Sequence, residues 1–441
     1  MPPSIPQDSY RHIWRLSWPI ILSNLTLPLT GAVDVAMMGH LPDPAYIGGV
    51  GLGVLVFNAL YLAFGFLRMG TTGFAAQAVG AGDKSELAHI LYRSVLIALI
   101  LGGVLISLKT PILSYAQHFL SASARTEQLM AEYITIRLYD VPATLFNMVM
   151  LGWMFGQQRM KLCMLHLISV NMLNIGLNIW FVRGLGMDVN GVALSTVIAQ
   201  YAGAVFFILI LIFRRRTGFV LTPPEPDQLF HASQWKSFLS IARDLSIRTL
   251  MIWAVEAVLL SQSAKSGDVS LASIQLVLTL FNFIAFGLDG IAHAAEALTG
   301  QHIGSRNTKA LALVISRSTR LSAAMALALA MGLFWFETFW ITLLTSQAEL
   351  TAVMEGLWIY VCLIPLASFL AFVMDGVFVG ASQGRHMRNT TFISALICFV
   401  IIFSLPGWAE ESLLLGFLVY LILRGVLLWR VLPAVLSRAN P

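Results

Sequence analysis

Long apolar stretches alternate with short polar connections along the whole chain. A helix needs about 20 apolar residues to cross a lipid bilayer, and this pattern predicts twelve membrane-spanning helices in the 441 residues. The longest polar connection separates the sixth span from the seventh and contains TPPEPDQ. We therefore expect an N-terminal six-helix bundle at 1–213, a cytoplasmic linker at 214–237 and a C-terminal six-helix bundle at 238–441. The predicted spans are 12–38, 45–70, 89–108, 127–155, 160–182, 191–213, 238–262, 269–297, 310–336, 350–380, 388–405 and 411–431.

Two short stretches 224 residues apart resemble each other, AQAVGAGDKSEL at 76–87 and GQHIGSRNTKAL at 300–311. Each follows the second span of its half, and Pro and Gly residues of the fourth spans recur at a similar offset. Such offsets favour an internal duplication. The fold class we predict is an all-α polytopic membrane protein, with two six-helix bundles related by an internal repeat. Many secondary transporters have this plan. The matched pairs are Gln77 and Gln301, Gly80 and Gly304, Asp83 and Asn307, Leu87 and Leu311, Pro142 and Pro365, and Gly156 and Gly380.

The composition and charge distribution agree with a membrane location. Hydrophobic residues make up 58% of the chain and charged residues 11%, against roughly 25% charged in soluble proteins. With the N-terminus in the cytoplasm, five of the 27 Lys and Arg residues fall outside and 22 inside, as the positive-inside rule requires. We expect a bacterial cytoplasmic (inner) membrane protein with both termini cytoplasmic. Basic residues are scattered, which argues against nucleic-acid binding.

The three cysteines, Cys163, Cys362 and Cys398, lie in apolar runs and at no spacing typical of a metal site. We interpret them as buried free thiols and expect neither a metal nor another cofactor. No P-loop and no HExxH motif occurs in the sequence, so we predict that any transport is driven by an ion gradient rather than by ATP.

The first span contains three residues that a simple membrane helix would lack, Pro19, Pro28 and Asp34, within SWPIILSNLTLPLTGAVDVAMMGH. Asp34 lies eight residues, about 12 Å, from the middle of the span toward the outer face. Burial disfavours the charged form of a carboxyl group, so Asp34 is the predicted proton-coupling residue. Each proline removes a backbone hydrogen bond and favours a bend, so we predict bending of this helix.

Three amide side chains share one face of the fifth span, Asn171, Asn174 and Asn178 in NMLNIGLNIWF. They can hydrogen-bond an acid, a cation or a substrate, and Thr196 of the sixth span adds a hydroxyl group. We predict that these four residues form a network supporting Asp34 and line a substrate cavity. The alternative is that they only join helices, as polar side chains do in membranes.

The second half offers its own candidates for a coupling-ion site. Asp289, His293 and Glu296 lie on one face of the eighth span, although Glu296 is close enough to the cytoplasmic end to be solvated. Glu256 lies in the middle of the seventh span, and Asp375 is placed in the outer-to-middle part of the tenth. Ionisable residues inside spans are functional by default, so this half rivals Asp34.

Two further charged residues, Arg137 and Asp140, stand near the start of the fourth span and are interpreted as interfacial.

A lipid-linked sugar flippase of related fold would need a strongly cationic cavity for pyrophosphate. Arg248 and Arg424 are placed toward cytoplasmic ends of their spans, which disfavours that function. A membrane-embedded enzyme would need a nucleophile–base pair or a metal constellation. The pair Asp289 and His293 is the only hint of one and lacks a third ligand at an obvious spacing, so we predict that the chain is not an enzyme.

The sequence resembles the multidrug and toxic compound extrusion (MATE) family of transporters, with details similar to its DinF-like branch. The resemblance rests on PLTGAVDVAMMGHL in the first span, RMGTTGFAAQAVGAGD after the second, LNIGLNIWFVRGLGMDVNGVALSTVIAQY across the fifth and sixth, and FGLDGIAHAAEA in the eighth. It implies export of cationic or amphipathic drugs in exchange for H⁺ or Na⁺. It also implies that Asp34 is the coupling residue, with Asn174 and Asn178 at an N-x-x-x-D position.

The amide Asn178 stands where such relatives have an acid, and this departure favours H⁺ over Na⁺, because hard cations prefer carboxylate oxygens. We therefore expect a proton-coupled multidrug antiporter that confers antibiotic resistance. The alternatives are a Na⁺-coupled antiporter using Glu256 and Asp375, or the flippase. Its expected partners are small-molecule drugs and the bilayer, and we expect it to work as a monomer.

Overall fold

A computed structural model describes residues 8–39, 41–119, 122–216, 231–404 and 409–440, and these residues are almost entirely helical, with no strand among them. The predicted linker 214–237 lies largely outside the described residues. The first six spans are Tyr10–Asn24 with Leu27–Gly39, Ala45–Phe64 with Phe66–Ala81, Lys84–Ser107, Ala124–Arg137 with Val141–Gly156, Met160–Ile179, and Val189–Arg216. The last six spans are Ala232–Lys265, Asp268–Gly304, Thr308–Trp335, Ala348–Gly380, Gly384–Ser404 and Ala409–Arg430.

Ten of these twelve spans are long and apolar enough to cross a membrane by length and composition alone. The fourth and seventh spans carry more polar residues. Short helices Lys109–Phe119, Glu337–Leu344 and Pro433–Leu436 follow the third, ninth and twelfth spans. The fifth span continues into a π-helical turn, Trp180–Gly184.

The duplication is visible in the backbone as well as in the sequence. Gly82 and Arg306 have φ angles of 71° and 53°, and Gln158 and Ser382 have 59° and 54°. The members of each pair are 224 residues apart. Because L-residues other than glycine rarely adopt positive φ, matched positive values at this offset indicate that the same helix-terminating turns recur in both halves.

Helix starts recur at the same offset. The Asp83 side chain accepts a hydrogen bond from the backbone N–H of Glu86 at 2.8 Å and begins the third span. The Asn307 side chain accepts one from the N–H of Ala310 at 3.1 Å and begins the ninth. An Asp or Asn at this position satisfies an N–H group that the helix itself leaves unpaired.

Close helix packing is also repeated. A Cβ at Gly152 would lie 2.3 Å from the backbone oxygen of Arg68, and a Cβ at Gly376 would lie 2.1 Å from that of Ala292. At these distances only glycine, which has no Cβ, permits the two backbones to approach. Small residues are common at helix contacts in membranes for the same reason. In each half, therefore, the second and fourth spans pack together through a glycine at the same repeat position.

The contacts divide the chain into two compact units. The N-terminal unit contains Leu22–Ala75 and Asp83–Lys236, and the C-terminal unit contains Ser237–Pro441, Ala76–Gly82 and the chain up to Ile21. These units are defined by contacts, whereas the six-plus-six boundaries at 213 and 238 stay a prediction from the order of the spans.

Each unit has an apolar core that buries a tryptophan. In the N-terminal unit, Trp153 is buried and donates its indole N–H to the Leu87 carbonyl at 2.9 Å. In the C-terminal unit, Trp358 donates to the Leu333 carbonyl at 3.0 Å within the large cluster that includes Phe281. A buried indole N–H needs such an acceptor, so these bonds fix the packing of neighbouring spans.

Candidate functional site

Asp34 lies in the second helix of the first span, Leu27–Gly39, and faces the fifth span. The side-chain amide of Asn178 donates a hydrogen bond to the Asp34 carboxylate. Asn178 is fully buried and Asp34 is partly buried. The π-helical turn Trp180–Gly184 begins two residues after Asn178, and such turns are frequent at functional sites.

The other two amides of the fifth span have different partners. Asn174 donates to the hydroxyl oxygens of Ser195 at 3.3 Å and Thr196 at 3.0 Å, both in the sixth span. Asn171 donates to the hydroxyl of Thr26 at 2.6 Å. The polar stripe therefore connects the fifth span to the sixth span and to two points on the first. Thr196 contacts Asn174, and no bond from Thr196 to Asp34 is present among the described residues.

The first span is interrupted between its two helices. Tyr10–Asn24 ends and Leu27–Gly39 begins around a turn at residues 25 and 26. Pro28 is the second residue of the outer helix, so it cannot donate to the carbonyl of Asn24, four residues earlier. Pro19 lies buried inside the inner helix. The break coincides with Pro28, and Thr26 at the break is the residue that Asn171 binds.

A buried charged network in the fourth span lies beside this site, and its interpretation as interfacial was wrong. Asp140 is fully buried and Arg137 is 9% exposed. Arg137 donates to the Asp140 carboxylate and to the Tyr133 hydroxyl, the latter at 2.8 Å, and the Tyr61 hydroxyl also donates to Asp140. The Arg137 guanidinium lies 4.5 Å from the centre of the Phe57 ring.

This network belongs to the electrostatic environment of Asp34, because Arg137 and Asp34 interact through their charges. The sequence offered one signal for it, the i, i+3 spacing of Arg137 and Asp140 in an apolar span. Buried charges in low dielectric must be paired, and that spacing allows an ion pair on one helix face.

In the second half, the Asp375 carboxylate accepts hydrogen bonds from two arginines, Arg248 of the seventh span and Arg424 of the twelfth. Both arginines are buried, at 6% and 5% exposure. Asp375 lies five residues before the end of the helix Ala348–Gly380, so its placement in the outer-to-middle part of the span was wrong. In the predicted orientation the tenth span enters from outside and ends on the cytoplasmic side, so Asp375 lies near the cytoplasmic end of the span.

The remaining second-half candidates separate into two places. His293 Nδ1 lies 3.1 Å from the Glu296 carboxylate on the eighth span, and Glu296 is 2% exposed. The expectation that Glu296 is solvated was therefore wrong. Asp289 is partly buried on the same span, and partly buried Glu256 on the seventh span interacts electrostatically with Arg424. Asp375 and Glu256 thus share an arginine neighbour, whereas His293 and Glu296 contact each other on the eighth span.

Comparison with known proteins places this chain in a family. A model of the MatE family matches residues 19–180 and again 245–404, one match in each half. The chain is 34% identical over 426 residues to DNA damage-inducible protein F of Escherichia coli (strain K12), covering 96% of this chain and 92% of that protein. It is 23% identical over 396 residues to the probable multidrug resistance protein NorM of Thermotoga maritima, covering 87% and 82%.

The fold is also similar to that of a solved MOP superfamily transporter from Pyrococcus furiosus, with a TM-score of 0.88 and 18% identity over 98% of this chain and 96% of that chain. The chain belongs to the MatE family, the multidrug and toxic compound extrusion transporters. The predicted family resemblance and the predicted fold class, twelve membrane helices in two repeat-related bundles, are confirmed. It is a multi-pass membrane protein whose relatives include bacterial transporters.

Proposed function

We propose that this protein exports cationic or amphipathic small molecules in exchange for protons, with Asp34 as the proton carrier. The observation that carries the proposal is the hydrogen bond from the Asn178 amide to the Asp34 carboxylate inside the membrane-spanning bundle. An N–H donor stabilises the ionised carboxylate, and protonation of the carboxylate weakens that bond. Proton binding therefore changes how tightly the first span is held to the fifth.

The donor set at this site favours H⁺ over Na⁺. The amide presents its nitrogen to Asp34, whereas a hard cation requires several oxygen ligands. In the second half, Arg248 and Arg424 already donate hydrogen bonds to Oδ2 of Asp375. Two guanidinium groups at that position repel a cation, so a Na⁺ site on Glu256 and Asp375 is disfavoured. No cofactor enters the proposal.

The same contacts support bending of the first span. Asn171 holds Thr26 at the break, and Asn178 holds Asp34 farther along the outer helix. When protonation weakens the second contact, the first still holds the break. We propose that the helix Leu27–Gly39 then pivots about the Pro28 turn, shrinks the predicted substrate cavity and expels the substrate. Coupling follows if proton and substrate favour different states, because a ligand with equal affinity for both shifts nothing.

A flippase for lipid-linked sugars is the second candidate, and the arginines argue against it. Arg137 is paired with Asp140, and Arg248 and Arg424 share Asp375. A pyrophosphate needs several unpaired cations, and the described residues of these clusters provide at most a single excess charge.

We also propose that the protein catalyses no covalent reaction, acts as a monomer, and lies in the bacterial inner membrane with both termini cytoplasmic.

The test is drug-dependent proton movement across liposomes that contain the purified protein. We expect a cationic drug gradient to drive proton flux in the wild type, and Asp34→Asn to abolish it while the protein still inserts and folds. The matched control is Asp43→Asn, nine residues away at a partly buried position, where the amide oxygen can still accept the hydrogen bond from the Ala45 N–H, so this variant should keep full flux. Wild-type flux in the Asp34→Asn protein, or flux driven by Na⁺ and indifferent to pH, would contradict the proposal.

A further inference from the structure

The arginine pair of the second half forms a buried cluster that proton coupling at Asp34 does not use. Arg248 and Arg424, from the seventh and twelfth spans, converge on a single oxygen of Asp375, its Oδ2. Both side chains are more than nine-tenths buried. The Arg424 guanidinium also lies 5.4 Å from the centre of the buried Tyr420 ring. We call Arg248, Arg424 and Asp375 the arginine clamp.

The clamp is underpaired. The Nε atoms of both arginines and the Oδ1 atom of Asp375 are buried and have no hydrogen-bond partner among the described residues. A guanidinium group offers five N–H donors in a fork that matches an oxyanion with two acceptor oxygens. Asp375 accepts a hydrogen bond from only one nitrogen of each guanidinium group, so the Nε donor of each arginine stays unpaired. Buried unpaired donors are costly, and they mark positions where a ligand can supply the missing acceptors.

The charges of the clamp also favour binding of an anionic ligand. The clamp itself carries one positive charge in excess, because two guanidinium groups share one carboxylate. Glu256, which interacts with Arg424, balances that charge only when it is ionised. The excess is specific to this half. At the repeat offset Asp375 corresponds to Leu151, and the first-half stretches corresponding to Arg248 and Arg424, 22–26 and 198–202, contain no charged residue. The clamp is thus an addition to the duplicated fold rather than a consequence of it.

We propose that the arginine clamp binds an oxyanion, the carboxylate or phosphate-type group of an amphipathic cargo molecule. Asp375 is the internal counter-ion that holds the two arginines while no cargo is bound. The cargo anion displaces Asp375 and takes a two-oxygen contact with the guanidinium pair. One excess charge suits a monoanionic group, so the cargo range extends from cationic compounds to zwitterionic and anionic amphipaths.

The depth of the clamp fits loading from the cytoplasm. Asp375 lies five residues before the end of the tenth span and Arg424 six residues before the end of the twelfth. Even-numbered spans end on the cytoplasmic side in the predicted orientation. The assignment of the bound anion as cargo rests on the proposed export function. Anion binding itself is measurable without any transport.

The experiment uses three probes with one scaffold, 4-phenylbutyrate, 4-phenylbutanol and 4-phenylbutylamine. Their binding to the purified full-length protein in phosphatidylcholine nanodiscs is measured by titration calorimetry. We expect the carboxylate to bind more tightly than the alcohol. Arg248→Gln and Arg424→Gln should each weaken phenylbutyrate binding about 10- to 100-fold, the range of one lost charge-assisted hydrogen bond. Arg388→Gln is the control, because Arg388 pairs with Asp244 elsewhere in the same half.

Asp375→Asn gives a prediction of opposite sign that keeps the test decisive if an arginine variant fails to fold. Removing the internal counter-ion should tighten phenylbutyrate binding about tenfold. Equal binding of phenylbutyrate and phenylbutanol, or unchanged binding in Arg424→Gln, would overturn the proposal, as would weaker binding in Asp375→Asn.

A lipid headgroup is the other source of an oxyanion. If phosphatidylglycerol binds in an Arg424-dependent manner and phenylbutyrate does not, the clamp is a lipid site and the cargo assignment is overturned. Failure of the export function is a separate result, seen as the absence of drug-dependent proton flux in liposomes. Phenylbutyrate binding in the nanodiscs would be unaffected by that outcome.

Discussion

One side chain of the fifth span, Asn178, determines what Asp34 can bind. Its amide nitrogen donates to the Asp34 carboxylate, while the Asn178 oxygen is buried without a hydrogen-bond partner among the described residues. An acid at this position would place two carboxylates together and would favour a cation between them. The amide instead leaves a single titratable group, which is why we propose that each transport cycle exchanges a proton at Asp34.

We therefore expect Asn178→Ala to uncouple transport rather than unfold the protein. The variant loses the donor that distinguishes ionised from protonated Asp34, so drug-driven proton flux in liposomes should fall about tenfold, the effect of about 1.4 kcal/mol. Asn190→Ala is the control, since Asn190 bonds only to nearby Asp188 among the described contacts. Full flux in Asn178→Ala would show that this hydrogen bond has no role in coupling.

At the scale of elements, the first span is a jointed helix. The inner helix ends at Asn24 and the outer helix begins at Leu27. Pro28 supplies no N–H to the Asn24 carbonyl, which removes the hydrogen bond that would carry the helix across the break. Thr26 at the joint accepts a hydrogen bond from Asn171, and this is the point about which we propose that the outer helix pivots.

Pro28→Ala restores the missing donor and should favour a continuous helix. We expect a drug-efflux rate reduced several-fold, with drug binding retained, because the outer helix no longer pivots. Pro19→Ala, inside the inner helix, should reduce the rate less. Efflux rates from proteoliposomes containing each variant distinguish the two prolines. A larger loss for Pro19→Ala would move the joint to the cytoplasmic part of the span.

A second element-level contact joins the repeat-matched ends of the second and eighth spans within the C-terminal unit. A Cβ at Gly80 would lie 1.9 Å from the Gln301 carbonyl oxygen, and a Cβ at Gly304 would lie 2.0 Å from the Gln77 carbonyl oxygen. The contact is reciprocal, because each glycine meets the glutamine of the other repeat. Gln77 also donates to the Gly380 carbonyl at 2.9 Å.

Gly304→Ala should therefore destabilise the protein by about 1–3 kcal/mol, the cost typical of overpacking. Gly332→Ala, in the ninth span with nothing within 4 Å of the added Cβ, should instead stabilise it by about 0.5–1 kcal/mol through helix propensity. Thermal unfolding of both variants in the same detergent checks the pair. An unchanged midpoint for Gly304→Ala would mean that the two spans separate at little cost.

At the scale of the whole molecule, duplication preserved the backbone and diversified the chemistry. Turns and glycine contacts recur every 224 residues. The charged clusters do not recur, since Arg137 and Asp140 lie in the fourth span, whereas Asp375 lies nearer the end of the tenth. Close packing constrains backbones in both halves equally. Buried charges are too costly to keep where they have no function, so each half retained its own.

The orientation of the molecule is testable through its cysteines. Cys163, Cys362 and Cys398 are free and buried, so the native chain should not react with a membrane-impermeant maleimide. We expect Ser266→Cys, exposed after the seventh span, to be labelled on intact cells. Ser233→Cys, exposed at the start of that span, should be labelled only after permeabilisation. Labelling of Ser233→Cys on intact cells would reverse the predicted orientation.

The sequence by itself determined the number and order of the spans, the duplication and the family. It also singled out Asp34, Asn171, Asn174, Asn178 and Pro28, because apolar length, repeat offset and polar residues inside apolar runs are local properties of the chain. A polar residue within a span stands out regardless of its partner, since its cost in lipid is independent of the fold.

Only the tertiary structure decided which partner each residue has. It placed Asn178 on Asp34 and Asn174 on Thr196, buried Arg137 with Asp140, and brought two arginines onto Asp375. Spans distant in the sequence meet through helix packing, and the depth and rotation of each helix depend on contacts such as the glycine approaches. The pairing of the buried charges follows from that packing.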